Sequence, residues 1–396
     1  MKTRWVIAGG GTGGHVTPAL ALGEAIRDRG DEVLFIGSAR GLESRLVPEA
    51  GFDLECLPSE QVMGRSLWGR VRGAFSILRS VGAARRAIRR FDADLVVSVG
   101  GYAAMPAALA ARLTRRPLFL VEPNAIPGRV NRLTARFART VFVGFESTRG
   151  ALPGRSESLC LGVPLRRALY RAFASDTPDR AGADDGAAKR GVPAPPLKLF
   201  VFGGSQGARQ LNEGVPAAIA RLSKNTVEVF HQSGEADRAA VEARYAKLGV
   251  SAEVVAFERD MPHRYRWADL AICRAGALTV AELALAGMPA LLVPYPFAAD
   301  DHQTANARAL EEAGAAKRLA SRPLDEAAMA QAIAELVTSP GRLLLMREAA
   351  RSLARPNAAR DIVEHCLARI GHAPAKLREE ASADTPPRKD DACSAD

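Results

Sequence analysis

Cys273-Arg274-Ala275-Gly276-Ala277-Leu278-Thr279-Val280-Ala281-Glu282 follows directly on Leu270-Ala271-Ile272, and the reading of this join decides the fold. Leu270–Cys273 is a short apolar run, the pattern of a strand buried on both faces of a parallel sheet. Ala275-Gly276-Ala277 is a small-residue turn, and Thr279 opens an Ala/Leu-rich helix that stops at Gly287 and Pro289. Strand, glycine turn and helix start together make an anion site, because the first backbone N–H groups of a helix lack partners and its dipole is positive there. Glu282 lies one helical turn beyond Thr279 on the same face. A carboxylate there repels phosphate but accepts hydrogen bonds from a ribose diol just past it. The stretch suggests a nucleotide diphosphate; the plainer alternative is an ordinary βα turn.

The same grammar opens the chain. Trp5-Val6-Ile7-Ala8 reads as a strand, Gly9-Gly10-Gly11-Thr12-Gly13-Gly14-His15 as a glycine loop, and Pro18 to Arg29 as a helix. Gly9, Gly11 and Gly14 satisfy the dinucleotide fingerprint, which also needs an acid at the end of the next strand. That strand, Val33–Ile36, ends in Gly37-Ser38-Ala39, so NAD is set aside. Strands at Leu54–Leu57, Leu95–Val99, Leu118–Val121 and Thr140–Val143 alternate with helices, the signature of a doubly wound parallel sheet. Gly100-Gly101-Tyr102 and Glu122-Pro123-Asn124-Ala125-Ile126-Pro127-Gly128 join the first glycine loop at the carboxyl ends of strands, where such sheets bind ligands. Leu199–Phe202 followed by Gly203-Gly204-Ser205-Gln206-Gly207-Ala208 and a helix from Arg209 repeats the opening. Further strands at Val227–His231, Glu253–Val255 and Ala290–Val293 complete a second sheet. Helices follow at Asp300 to Ala313, Leu324–Leu336, Pro340–Leu353 and Ala358–Ile370, with Ser339 placed to cap the third of them. Residues 172–196 read as a flexible insert, and 373–396 as a disordered tail.

At 396 residues two domains are expected. A formal net charge of +10 favours an anionic partner, while 6% aromatic residues argue against a base-stacking nucleic-acid surface. The five cysteines have no paired spacing and fit reduced thiols. The N-terminus shows no signal peptide, and no uncharged apolar run is long enough to span a bilayer. In Leu67–Arg90, apolar Trp68, Val71, Phe75, Leu78 and Val81 fall at helical spacing among seven arginines. That pattern suits an interfacial helix on an anionic membrane, or a core-facing helix with a solvated basic face.

With these pieces assembled, the chain resembles the MurG family of GT-B glycosyltransferases. Gly10–His15, Gly100–Tyr102, Gly203–Ala208 and Arg274–Glu282 carry the likeness, which runs from about Trp5 to Ile370. The resemblance implies α/β architecture: two facing doubly wound Rossmann-like domains with a deep cleft between them. Residues 1–164 would form the acceptor and membrane domain and 165–357 the UDP-sugar domain, with helix 358–370 packed back on the first. The implied activity is inverting transfer of N-acetylglucosamine from UDP-N-acetylglucosamine to undecaprenyl-diphosphate-linked N-acetylmuramyl pentapeptide. It would take place at the cytoplasmic face of the cell membrane, with no cofactor, metal or nucleic acid. Glu282 would bind the ribose, and Ser205 with the N–H groups of Leu278 and Thr279 the diphosphate. Val280 and Ala281 belong to the same stretch, and the backbone at Glu258 would meet the uracil. Gln303 and Asn124 would contact sugar hydroxyls, Arg166 would line the donor site, and Thr12, Gly13 and Gly14 would touch substrate. Gly11, Gly100 and Gly101 would meet the acceptor diphosphate. The family carries an apolar residue where Glu258 stands, and its members have a shorter segment at 172–196.

The chemistry is reasonable on the residues alone. A helix N-terminus and Ser205 can meet the charge growing on departing UDP, so no metal is required. A hydroxyl nucleophile needs a base near neutral pH, and His15 suits by its titration range and place, unless it only positions phosphate or backbone. Glu122 is the other candidate base. A lipid-borne acceptor makes a peripheral membrane face necessary, and Leu67–Arg90 is the candidate for it. Rival readings are another GT-B enzyme on a membrane lipid, a nucleotide-sugar epimerase or hydrolase, and a non-catalytic basic binding protein.

Overall fold

A computed structural model describes residues 2–58, 67–153, 156–173, 196–204 and 207–372, with backbone alone for 67–75 and 299. The first domain is a seven-stranded parallel sheet of β1 (Arg4–Gly9), β2 (Glu32–Ser38), β3 (Asp53–Leu57), β4 (Leu95–Gly100), β5 (Leu118–Glu122), β6 (Thr140–Val143) and β7 (Glu157–Cys160). Helices α1 (Gly13–Asp28), α2 (Glu43–Glu49), α3 (Leu67–Arg90), α4 (Ala104–Thr114) and α5 (Arg129–Thr134) accompany it. The second is a six-stranded parallel sheet of β8 (Leu197–Phe202), β9 (Val227–Gln232), β10 (Ala252–Val255), β11 (Leu270–Cys273), β12 (Ala290–Leu292) and β13 (Ala316–Arg318). It carries α6 (Arg167–Phe173), α7 (Arg209–Ile219), α8 (Arg238–Lys247), α9 (Met261–Trp267), α10 (Ala277–Ala286), α11 (His302–Glu312), α12 (Glu326–Val337) and α13 (Pro340–Ser352), and α14 (Ala358–Arg369) follows them in the chain.

Strand order places the site. The first sheet runs β3-β2-β1-β4-β5-β6-β7 and the second β10-β9-β8-β11-β12-β13. Chain direction across each sheet reverses between β1 and β4, and between β8 and β11, and the crevice outside such a switch point is where doubly wound folds hold ligands. The four glycine-bearing stretches singled out in the sequence are the loops that leave these four strands.

The central strands bury every residue because helices cover both faces, which is why they read as unbroken apolar runs. The outermost β7 and β13 were not anticipated. Edge strands need no continuous apolar run, and Glu157-Ser158-Leu159-Cys160 and Ala316-Lys317-Arg318 have none.

Three helix boundaries correct the sequence reading. α1 starts at Gly13, not Pro18: Thr12 is extended, and its carbonyl accepts the N–H groups of His15 and Val16, so Pro18 lies inside the helix. α10 starts at Ala277, two residues before Thr279. Ser339 makes no side-chain cap on α13, although Pro340 does sit in its first turn. The first two residues of the segment read as flexible are part of α6: Phe173 is buried in the interdomain core with Arg266 over its ring. The remainder of the 172–196 reading, and that of the 373–396 tail, lies outside the described residues.

α14 returns to the first domain. Ile362, Val363, Cys366 and Leu367 share a core with Trp5, Ile7, Leu20 and Ile26. The chain thus passes between domains twice, near Gly162 and near Arg355. The two crossings touch, since a Cβ at Gly162 would collide with Arg355. Glu24 of α1 fastens the first crossing, accepting from Arg166 Nε at 2.6 Å and from the Arg167 N–H at 3.0 Å.

Candidate active site

The first-domain pole is built on three loops. Because α1 starts immediately after Thr12, Gly13 and Gly14 occupy its first two positions, where backbone N–H groups have no helical acceptor. His15 follows, partly exposed, with Nδ1 3.0 Å from Thr12 Oγ1. Burial pushes the His15 imidazole below its ordinary range, and His302 pushes the same way while Glu43 opposes. Gly100 and Gly101 stand beside it with φ of +93° and +81°, a backbone that glycine adopts freely. A Cβ on Gly101 would overlap the Gly10 carbonyl and come to 3.4 Å from His15 Nδ1, so only glycine lets the two loops meet.

Glu122, at the end of β5, is 1% exposed. Its carboxylate accepts from the N–H groups of Asn124 (2.9 Å) and Gly128 (2.8 Å) and from Asn131 Nδ2 (2.9 Å). Burial raises its pKa, and these bonds oppose the rise. A carboxylate so enclosed holds the 123–128 loop in shape. The reading of Glu122 as a base is therefore corrected to that of a loop anchor. Asn124 is anchored by Glu122 and turns its Oδ1 toward Asn306 Nδ2, 3.3 Å away.

The second-domain pole is α10. Gly276 is its extended N-cap, and Val280 N–H to Gly276 O, at 2.9 Å, is the first bond of the helix. The N–H groups of Ala277, Leu278 and Thr279 precede it. Glu282, one turn on, accepts a 2.9 Å hydrogen bond from the Tyr265 hydroxyl, and burial raises its carboxyl to about 7. Val280 turns its side chain into the interdomain core, so only its backbone faces this pole. Gln303 Oε1 accepts the N–H groups of Ala275 (3.3 Å) and Tyr295 (2.8 Å), bracing the turn ahead of α10. The buried Arg274 guanidinium donates to the carbonyls of Val293 and Pro294 and to Gln210 Oε1, fixing the same turn from below.

Two expectations shift here. At Glu258, whose backbone was expected at the uracil, the N–H is taken by Gln232 Oε1 at 3.2 Å, which leaves the carbonyl for that role, and the carboxylate pairs with Arg264, whose guanidinium lies over the Phe230 ring. Arg166, expected to line the donor site, is turned instead onto Glu24 of the first domain, a buried acid that draws its guanidinium to the crossing. Ser205 lies outside the described residues. Beside it, a Cβ at Gly207 would strike the Ser233 carbonyl, which accounts for glycine there.

Sequence reasoning gave no role to Asn306, which joins the poles. It is wholly buried, accepts the Ala125 N–H at 2.8 Å, and donates to the Ala275 carbonyl at 3.1 Å and to Asn124 Oδ1. One side chain thus spans the 123–128 loop and the turn into α10. Two cavities of about 700 and 710 Å³ flank the hinge, and neither is lined by His15 or Glu282. Convergence of the loops locates the site better than cavity size does.

Comparison with known proteins agrees with this geometry. The glycosyltransferase family 28 N-terminal domain matches residues 5–143, and the family 28 C-terminal domain matches residues 198–365. A protein of Halorhodospira halophila is 44% identical over 368 residues, covering 92% of this chain and 98% of its own length. One from Geobacter metallireducens is 40% identical, with the same coverage. Both are named UDP-N-acetylglucosamine–N-acetylmuramyl-(pentapeptide) pyrophosphoryl-undecaprenol N-acetylglucosamine transferase. The crystal structure of Acinetobacter baumannii MurG superposes with a TM-score of 0.73 at 33% identity, covering 92% of this chain and 98% of that one. A UDP-GlcNAc 2-epimerase from Neisseria meningitidis superposes at 0.63 with 14% identity, a likeness of fold alone.

Proposed function

Since the chain belongs to glycosyltransferase family 28 and, within it, to the MurG family, we propose that it transfers N-acetylglucosamine from UDP-N-acetylglucosamine to the 4-hydroxyl of undecaprenyl-diphosphate-linked N-acetylmuramyl pentapeptide. The observation that carries the reading is the facing of two poles across one cleft. The His15 imidazole stands within electrostatic reach of His302 at the start of α11, and Asn306 of the same helix is bonded to the turn that starts α10.

The donor lies with its diphosphate on the first-turn N–H groups of α10 and its ribose on Glu282. With a proton on His15 Nδ1 donated to Thr12 Oγ1, Nε2 is free to take the proton of the attacking hydroxyl. The lowered pKa keeps this nitrogen unprotonated at neutral pH. The hydroxyl oxygen bonds to the anomeric carbon as the bond to phosphate breaks. The electron pair leaves on UDP, where the α10 dipole and N–H groups stabilise it. Displacement from the far side turns an α-linked donor into a β-linked product. Gly11, Gly100 and Gly101 stand beside His15, where the acceptor diphosphate would lie.

A membrane-attached acceptor asks for a peripheral face on the first domain, at the cytoplasmic side of the cell membrane. α3, α4 and α5 are neighbours and expose Leu78, Leu113 and Leu133 among Arg79, Arg85, Arg112, Arg115 and Arg132. Apolar tips in a basic field suit the boundary of an anionic bilayer. The Trp68 and Phe75 side chains, singled out in the sequence, lie outside the described ones.

The test is transfer itself. Purified protein with labelled UDP-N-acetylglucosamine and the lipid-linked muramyl pentapeptide should yield a labelled disaccharide lipid. Turnover of the donor with no acceptor present, or transfer only to a different lipid, would overturn the reading.

A further inference from the structure

The transfer just described leaves a buried charge beside the His15 loop without a role. Glu43, the first residue of α2, is wholly buried beneath the Gly9–Gly14 loop. Its Oε2 accepts the Gly11 N–H at 2.9 Å, and its Oε1 accepts the Ser38 N–H at 2.9 Å and the Ser38 hydroxyl at 2.7 Å. Three glycines from three segments make room for it, for a Cβ at Gly10, Gly37 or Gly41 would collide with its side chain. Filling that volume needs only an apolar residue, and burying a carboxylate is unfavourable unless its oxygens are bonded. Burial pushes the Glu43 pKa up, but the Ser38 hydroxyl and the Gly11 and Ser38 N–H groups hold it below the usual range. The group is a carboxylate at neutral pH.

What that charge acts on is the peptide between Gly10 and Gly11. The N–H and the carbonyl of one planar unit point in opposite directions. Here the N–H meets Glu43, and the carbonyl abuts Gly101, whose own position is against His15. Both residues joined by this peptide are glycines, and Gly11 sits at φ +92° with open space around it, so a flip of the peptide meets no side-chain barrier of its own. A flipped peptide would aim its carbonyl dipole at the carboxylate and be repelled. A charged oxygen therefore selects one of the two orientations, whereas an amide could pair with either.

We propose that Glu43 is a positioning residue of the acceptor pole: its charge selects the orientation of the Gly10–Gly11 peptide and so holds both glycine loops and His15 in register for a diphosphate-bearing acceptor. This rests on the transfer reading above. The charged groups that act on His15 are His302 from α11 and Glu43 from the α2 side, and Cys56 of β3 senses Glu43 in turn.

The experiment compares full-length wild type, Glu43→Gln and Glu43→Asp in steady-state transfer to the lipid-linked muramyl pentapeptide, with UDP calorimetry and thermal melting alongside. Glu43→Gln is expected to bind UDP as wild type does, while kcat/KM for the acceptor falls about 100-fold through misplacement of the loops. The acid limb of its pH profile should also move to lower pH, because removing the carboxylate withdraws the one influence that raises the His15 pKa. Glu43→Asp keeps the charge and should retain more acceptor activity than Glu43→Gln despite packing worse. Wild-type acceptor kinetics in Glu43→Gln, parallel loss of UDP binding and acceptor use, or an Asp variant worse than the Gln variant would each overturn the proposal. Wild type that fails to use this acceptor at all sinks the transfer reading instead, and the positioning role with it.

Discussion

Consider Glu282→Gln, which keeps the shape of the side chain and removes its charge. In the ligand-free protein burial holds this carboxyl at about 7 against an ordinary 4.5. Folded protein therefore binds the proton more tightly than unfolded chain, and stability falls as pH rises through that window. Below the lower value both states are protonated and nothing is lost; above the upper value the loss is complete. A difference of about 2.5 units corresponds to about 3 kcal/mol. Urea denaturation of the ligand-free protein from about pH 4.5 to about pH 8 should show that slope in wild type and lack it in Glu282→Gln, leaving the variant the more stable of the two at the alkaline end. UDP should reverse the order. Hydrogen bonds from a ribose diol to a charged acceptor contribute about 1.5 to 3 kcal/mol, so the variant should bind UDP about 10- to 100-fold more weakly by calorimetry. Donor KM should rise and acceptor KM should not. A Gln variant with the wild-type pH slope would show that Glu282 is not the strained group. One with wild-type UDP affinity would move the ribose elsewhere.

Three other perturbations address other parts of the molecule. Asn306→Ala leaves the buried Ala125 N–H and Ala275 carbonyl without their partner, which should destabilise the protein by about 2 to 4 kcal/mol in chemical denaturation and broaden the distribution of domain separations in solution scattering. Glu122→Gln sets an amide N–H against one of the donors the carboxylate now accepts; melting temperature and kcat should fall, while the pH profile of the residual activity should keep the wild-type acid limb, as the proposal of His15 as base requires. Leu78→Glu combined with Leu113→Glu should weaken co-sedimentation with anionic vesicles, leaving UDP affinity unchanged; undiminished sedimentation would move the membrane face off α3 and α4.

The legible parts of this protein were those in which sequence neighbours are also spatial neighbours. A buried parallel strand, a glycine turn and a helix start occupy about a dozen consecutive residues, so the loops at both switch points could be read directly. The organising side chains were hidden because their partners are remote. Tyr265 reaches Glu282 across 17 residues, and Asn306 reaches Ala125 across 181. Glu43 was hidden differently: an acid in the first turn of a helix is ordinary, and nothing in one sequence tells that Gly10, Gly37 and Gly41 are shaped around it. Arg166 shows the converse. Its matching position suggested a donor contact, but the buried acid Glu24 on α1 draws it to the hinge.

The double passage between domains has a mechanical consequence. A single flexible link lets two bodies twist about any axis, whereas two links in contact at Gly162 and Arg355 behave as a door on two pins. Twisting and sliding would shear one crossing against the other, so opening and closing about a line through both is the movement left. His15 then meets the start of α10 along a fixed arc. In-line displacement tolerates little angular error, and here the aim is set by how the backbone is threaded before either substrate arrives.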